Sequence, residues 1–98
     1  MKMIAIEKEV EGKKAKDFEP FLEDEAKKVW ELHQRNDIRE IYFRGDQKAA
    51  VLILECESVE KAEEILSQLP LVREKLIYFE IIPLVPYPGF ERLFRTKT

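Results

Sequence analysis

At 98 residues the chain has room for one hydrophobic core, because two would each be too small to hold together. Its hydrophobic share of 45% is that of a globular domain, and its 38% of charged residues mixes acids with bases along helical stretches, which excludes a disordered polar chain. A net charge of −3 with no clustered positive stripe argues against nucleic-acid binding. One cysteine excludes an intrachain disulfide, and no segment reaches the roughly 20 apolar residues of a membrane span.

The opening Met1-Lys2-Met3-Ile4-Ala5-Ile6 lacks the long apolar run of a secretory leader, so a cytoplasmic location is expected. Residues 3–9 alternate as a strand, with Ile4 and Ile6 on one face and Met3, Ala5 and Glu7 on the other. Ile4 and Ile6 are assigned to the helix-covered side. Glu11-Gly12-Lys13-Lys14 breaks the strand. Asp17 is a suitable N-cap, and Pro20 falls near N3, where its missing N–H breaks no helical bond. A long helix is predicted over 18–36, with Phe18, Phe21, Leu22, Ala26, Val29, Leu32 and His33 in one apolar stripe and a stop at Asn36-Asp37.

Residues 38–44 alternate again, placing Ile41 and Phe43 on one face with Arg39, and Glu40, Tyr42 and Arg44 on the other. Gly45-Asp46-Gln47-Lys48 supplies hairpin chemistry, and 49–56 is nearly all apolar, as in a central strand. Cys56 in that run is expected to be a structural thiol. Ser58 caps a second helix striped by Val59, Ala62, Ile65, Leu66 and Leu69, which Pro70 stops. Residues 76–82 form the fourth strand. Pro83, Pro86 and Pro88 then preclude a regular central strand in an extension that begins at about residue 84.

The order strand, helix, strand, strand, helix, strand predicts a single α+β domain over 1–98. Its fold is ferredoxin-like, βαββαβ, with a four-stranded antiparallel sheet carrying both helices on one face. The second face, bearing Met3, Ala5, Glu7, Tyr42, Arg44, Val51, Ile53, Tyr78, Glu80 and Ile82, is too apolar to be left in water, so a homodimer or higher homo-oligomer through that face is expected.

The stretch from Glu57-Ser58-Val59-Glu60 to Gln68-Leu69-Pro70-Leu71 resembles the second helix of the muconolactone delta-isomerase family. The long first helix, the Arg44-Gly45 turn leading into Ala49-Ala50, and the proline-bearing tail fit the same pattern. The resemblance implies a dimeric α+β barrel, with two sheets packed face to face. It also implies cofactor-free proton transfer on a small lactone or related acid.

Such a reaction needs a base, an acid, and a cation for a substrate carboxylate. On the predicted inner sheet face, Glu7, Glu80 and Tyr42 are the candidate catalytic residues, and Arg44 and Tyr78 the candidate substrate-binding residues for a small acidic ligand. The same groups suit a salt-bridged barrel rim, so a non-catalytic ligand-binding or assembly module of the same fold stays open beside the isomerase. No cofactor and no metal site are expected: His33 is the single histidine, at the flank of its helix stripe, and Gly12, Gly45 and Gly89 form no phosphate-cradling loop. Trp30, beside the stripe, is expected to pack. The tail over 84–94, with Tyr87, Phe90, Leu93 and Phe94, is expected to be ordered against a partner subunit, and residues 95–98 to be mobile.

Overall fold

Four segments rich in branched and aromatic residues form one antiparallel sheet in a computed structural model that describes residues 1–95. The strands are β1 (Lys2–Glu9), β2 (Ile38–Phe43), β3 (Ala50–Glu55) and β4 (Ile77–Pro83), in the spatial order β2-β3-β1-β4. Every neighbouring pair is antiparallel, and each helical crossover therefore spans one intervening strand, as the ferredoxin-like order requires. Residues 96–98 lie outside the described part of the chain, as does most of the expectation of mobility over 95–98.

The first helical region is not one long helix. It divides into α1 (Ala15–Phe18), a 3-10 turn (Glu19–Phe21) and α2 (Leu22–Gln34). Pro20 explains the division, because it has no N–H to continue a helical ladder and its ring crowds the preceding turn. Asp17 is not the N-cap residue. It sits three residues into α1, and its carboxylate accepts the Lys14 N–H at 2.8 Å from there. The predicted stop holds: Asn36 adopts φ 66°, and Asp37 donates its N–H to the Leu32 carbonyl oxygen at 3.0 Å, closing α2 with a left-handed residue.

Ser58 caps α3 (Val59–Leu66) by accepting the Lys61 N–H at 3.1 Å. Pro70 does more than stop this helix. Its fixed φ and missing N–H suit a first helical position, and it opens a short α4 (Pro70–Arg73). Lys75 at φ 61° then turns the chain into β4, at the roughly 1–2 kcal/mol that a left-handed non-glycine residue costs.

The face assignment of β1 is the reverse of the sequence expectation. Met3 and Ala5 are fully buried under the helices, beside Leu52, Leu54, Leu32, Ala62 and Leu66, whereas Ile4 and Ile6 lie on the open face. Both sets alternate and both are apolar, so the pattern cannot distinguish them. The register decides: Ile4 stands opposite Ile53 and Ile82, and Ile6 opposite Val51. Glu7 follows Met3 and Ala5 to the helix side.

A bulge between Ile38 and Glu40 lets Ile38 and Ile41 both face the helices. Arg39 at that bulge is exposed and donates to the Asn36 carbonyl oxygen at 2.9 Å rather than sharing the inward face.

After β4 the Leu84 N–H donates to the Lys2 carbonyl oxygen at 2.8 Å, and the chain then leaves the body. The longest dimension is 65 Å and the radius of gyration 16.9 Å, against about 13 Å for a compact chain of this length. The arm has local order of its own. Tyr87 and Phe90 meet edge to face at 5.1 Å, and Gly89 is buried under the Tyr87 ring, where any Cβ would collide with it. Its other apolar residues point into solvent, with Phe94 82% exposed.

Candidate active site

Leu22, Ala26 and Trp30 are exposed, and beneath them the sheet residues Ile41 and Phe43 are exposed as well. Between these two layers lies a cavity of about 940 Å³, walled by Phe18, Val29, Leu52, Leu69, Leu71 and Phe79 among others. Trp30, expected as packing, stands at this cavity 62% exposed. A pocket of this size and apolar character has the dimensions of a small-molecule site.

Two carboxyl groups face the cavity from opposite layers. Glu7 projects from β1, opposite Phe79 of β4, and its Oε1 accepts the Ala50 N–H at 3.1 Å. Glu25 projects from α2, and its Oε1 accepts the Leu71 N–H at 2.9 Å, satisfying a free first-turn donor of α4. Burial in the apolar wall pushes the Glu7 carboxyl above the ordinary value. The Ala50 N–H partly opposes this, and the charge of Glu9 adds to it. Burial likewise raises Glu25. The Leu71 N–H lowers it, the charge of Glu7 raises it further, and Arg73 pulls it down. The two carboxyls therefore sense one another, and ionising Glu7 makes it harder to ionise Glu25.

The sequence reasoning missed Glu25, although a signal was present. It lies four residues after Phe21 and four before Val29, at the centre of the apolar stripe, where a carboxylate is out of place unless it faces a cavity or a partner.

The other candidates do not join Glu7. Tyr42, Tyr78 and Glu80 alternate onto the open sheet face, on the far side from the cavity. The Tyr42 hydroxyl donates to Glu40 at 2.6 Å, which holds its proton above the ordinary value. Arg44 donates to both carboxylate oxygens of Asp46, at 2.9 and 2.7 Å, so its fork is already occupied. His33 Nδ1 donates to the Ile38 carbonyl oxygen at 2.9 Å, joining α2 to β2. The Cys56 thiol, half-buried, lies 3.5 Å from the Ser58 carbonyl oxygen. Among the described residues no group of three or more His, Cys, Asp or Glu is placed to hold a metal ion, and no helix is long and apolar enough to cross a membrane.

A solved structure, the crystal structure of muconolactone isomerase, superposes on this chain with a TM-score of 0.69. It covers 91% of this chain and 93% of its own, at 22% sequence identity. The fold is muconolactone isomerase-like. No family model matches the sequence, and no curated protein matches it. At this identity the likeness establishes the fold alone.

Proposed function

We propose that the chain is a cofactor-independent enzyme that moves a proton on a small carbonyl compound, with Glu7 and Glu25 as its acid–base pair. One observation carries the reading: two half-buried carboxyls, each raised by burial, with Glu25 raised further by the charge of Glu7, face the same apolar cavity from opposite layers. An ionised Glu7 makes Glu25 harder to ionise, which favours Glu7 as base beside a protonated Glu25. Glu7 ionised takes a proton from the carbon next to the carbonyl. The C–H electron pair becomes a C=C bond, and the carbonyl π pair moves to oxygen, where Glu25, protonated, donates a hydrogen bond. Glu7 then returns its proton to a different carbon of the conjugated system, and the carbonyl re-forms.

The open sheet face is proposed to pair with that of a second copy. Ile4, Ile6, Val51, Ile53 and Ile82 form its aliphatic centre, with Tyr42, Tyr78, Arg44 and Glu80 around them. Correcting the face of β1 makes this surface more apolar than the sequence expectation had it. The Glu80, Tyr42, Arg44 and Tyr78 cluster then belongs to the assembly rather than to the cavity.

The test is isomerisation in D₂O of neutral β,γ-unsaturated lactones and ketones, followed by NMR. Wild type is expected to accelerate both isomerisation and deuterium uptake next to the carbonyl. Glu7→Gln and Glu25→Gln are each expected to lower the rate by about 10²–10⁴ while leaving the far-UV circular dichroism unchanged. A folded wild type with no rate above background would mean a non-catalytic module.

A further inference from the structure

The polar groups around the cavity bear on what enters it, given that it is the site. Besides apolar residues, its lining holds four carboxyls, Glu7, Glu9, Glu19 and Glu25, and two ammonium groups, Lys16 and Lys48. With Glu7 and Glu25 sharing one proton, as proposed above, three carboxylates against two ammonium groups leave an excess of one negative charge, and among the described residues neither arginine nor histidine lines the cavity. Nothing there forms a bidentate clamp for a carboxylate or phosphate. The arginine assigned this task on sequence grounds, Arg44, is engaged by Asp46 on the far side of the sheet.

We infer that this cavity selects an uncharged, mainly apolar carbonyl compound and disfavours carboxylates, in contrast to the small acidic ligand expected from the sequence. An entering carboxylate meets an excess of like charge, and must shed its hydration against Phe43, Leu52 and Phe79 without a guanidinium to replace it. An ammonium ligand meets attraction from the acids, but the same apolar wall desolvates it, and the two half-buried carboxyls that would pair with it are held toward their neutral forms. A neutral carbonyl pays neither cost. Its oxygen needs one donor, which a protonated carboxyl supplies.

This inference rests on the cavity being the functional site, and a matched set of ligands separates the two claims. Full-length protein is titrated with dihydrocoumarin, coumarin-3-carboxylate and 2-aminotetralin. Binding is followed by NMR shifts of the Trp30 indole and of the Leu52 and Leu69 methyls, with Glu7→Gln/Glu25→Gln as the comparison variant. The neutral lactone is expected to bind about tenfold or more tighter than the carboxylate, and the double variant, by removing two of the four acids, is expected to narrow that gap. Carboxylate binding as tight as that of the lactone, or tighter, overturns the inference and leaves the cavity as the site. Preferred binding of the amine overturns it in favour of a cationic ligand. If none of the three moves the cavity signals at millimolar concentration, the reading of the cavity as a small-molecule site falls, and this inference with it.

Discussion

Both faces of the sheet carry apolar residues, and they meet opposite fates. On β3, Leu52 and Leu54 are buried by the chain's own helices, while Val51 and Ile53, their immediate neighbours, are only half-buried on the open face. The covered face is itself unequal along β1. Met3 and Ala5 are fully buried, but Glu7, next in the same row, faces a cavity between the sheet and α2. Hydrophobic alternation thus prescribes that a face must be covered, but not what covers it: a helix, a ligand or another chain.

Adjacent residues on β3 break this contrast most sharply. Ile53→Lys places an unpaired charge in the proposed sheet-to-sheet interface, at a cost of about 3–5 kcal/mol per copy, and is expected to reduce the mass by light scattering from a dimer or its multiple. A wild type already monomeric at micromolar concentration, with full stability, contradicts the interface. Leu54→Ala, one residue away, opens a void among the helices and is expected to cost about 2–5 kcal/mol in denaturant unfolding without altering the subunit contact. Phe43→Ala, 66% exposed at the cavity, is expected to cost less than about 1 kcal/mol while weakening ligand binding. Equal destabilisation by Leu54→Ala and Phe43→Ala would erase the distinction between packed core and open cavity.

A smaller effect is expected from the arm. Its exposed Val85, Leu93 and Phe94 have no cover among the described residues, and Tyr87 and Phe90 order it locally. Removing residues 87–98 is expected to lower the assembly size or to shift the thermal midpoint by a few degrees, in line with about 1 kcal/mol. Retention of both, together with arm amides that exchange as fast as a free peptide, would show that the arm has no partner.

Much of this architecture was legible from short patterns. The Ser58 cap, the Asn36-Asp37 stop and the Gly45-Asp46-Gln47-Lys48 hairpin are local chemistry, and each forms where its residues stand. What was not legible depends on contacts between distant segments. The facing of β1 is set by its register with β3 and β4, and Met3 and Ala5 alternate as cleanly as Ile4 and Ile6. That single inversion carried Glu7 away from Glu80, Tyr42, Tyr78 and Arg44, and so dissolved the site assembled from sequence. Glu25 was readable as an acid inside an apolar stripe. Its meaning depends on the tertiary gap beneath it.

The coupled carboxyls also predict how stability varies with pH. Both are raised in the folded chain, so the fold favours their neutral forms. Their stabilising contribution is fully present below the ordinary value of 4.5 and is lost as pH rises through the raised values. Carboxyl ¹³C NMR titration of Glu7 and Glu25, in wild type and in Glu7→Gln, tests this pairing most directly. Both midpoints are expected above 4.5, with that of Glu25 falling once Glu7 is made neutral. Midpoints at or below 4.5, or a Glu25 midpoint indifferent to Glu7→Gln, would contradict an acid–base pair in this cavity.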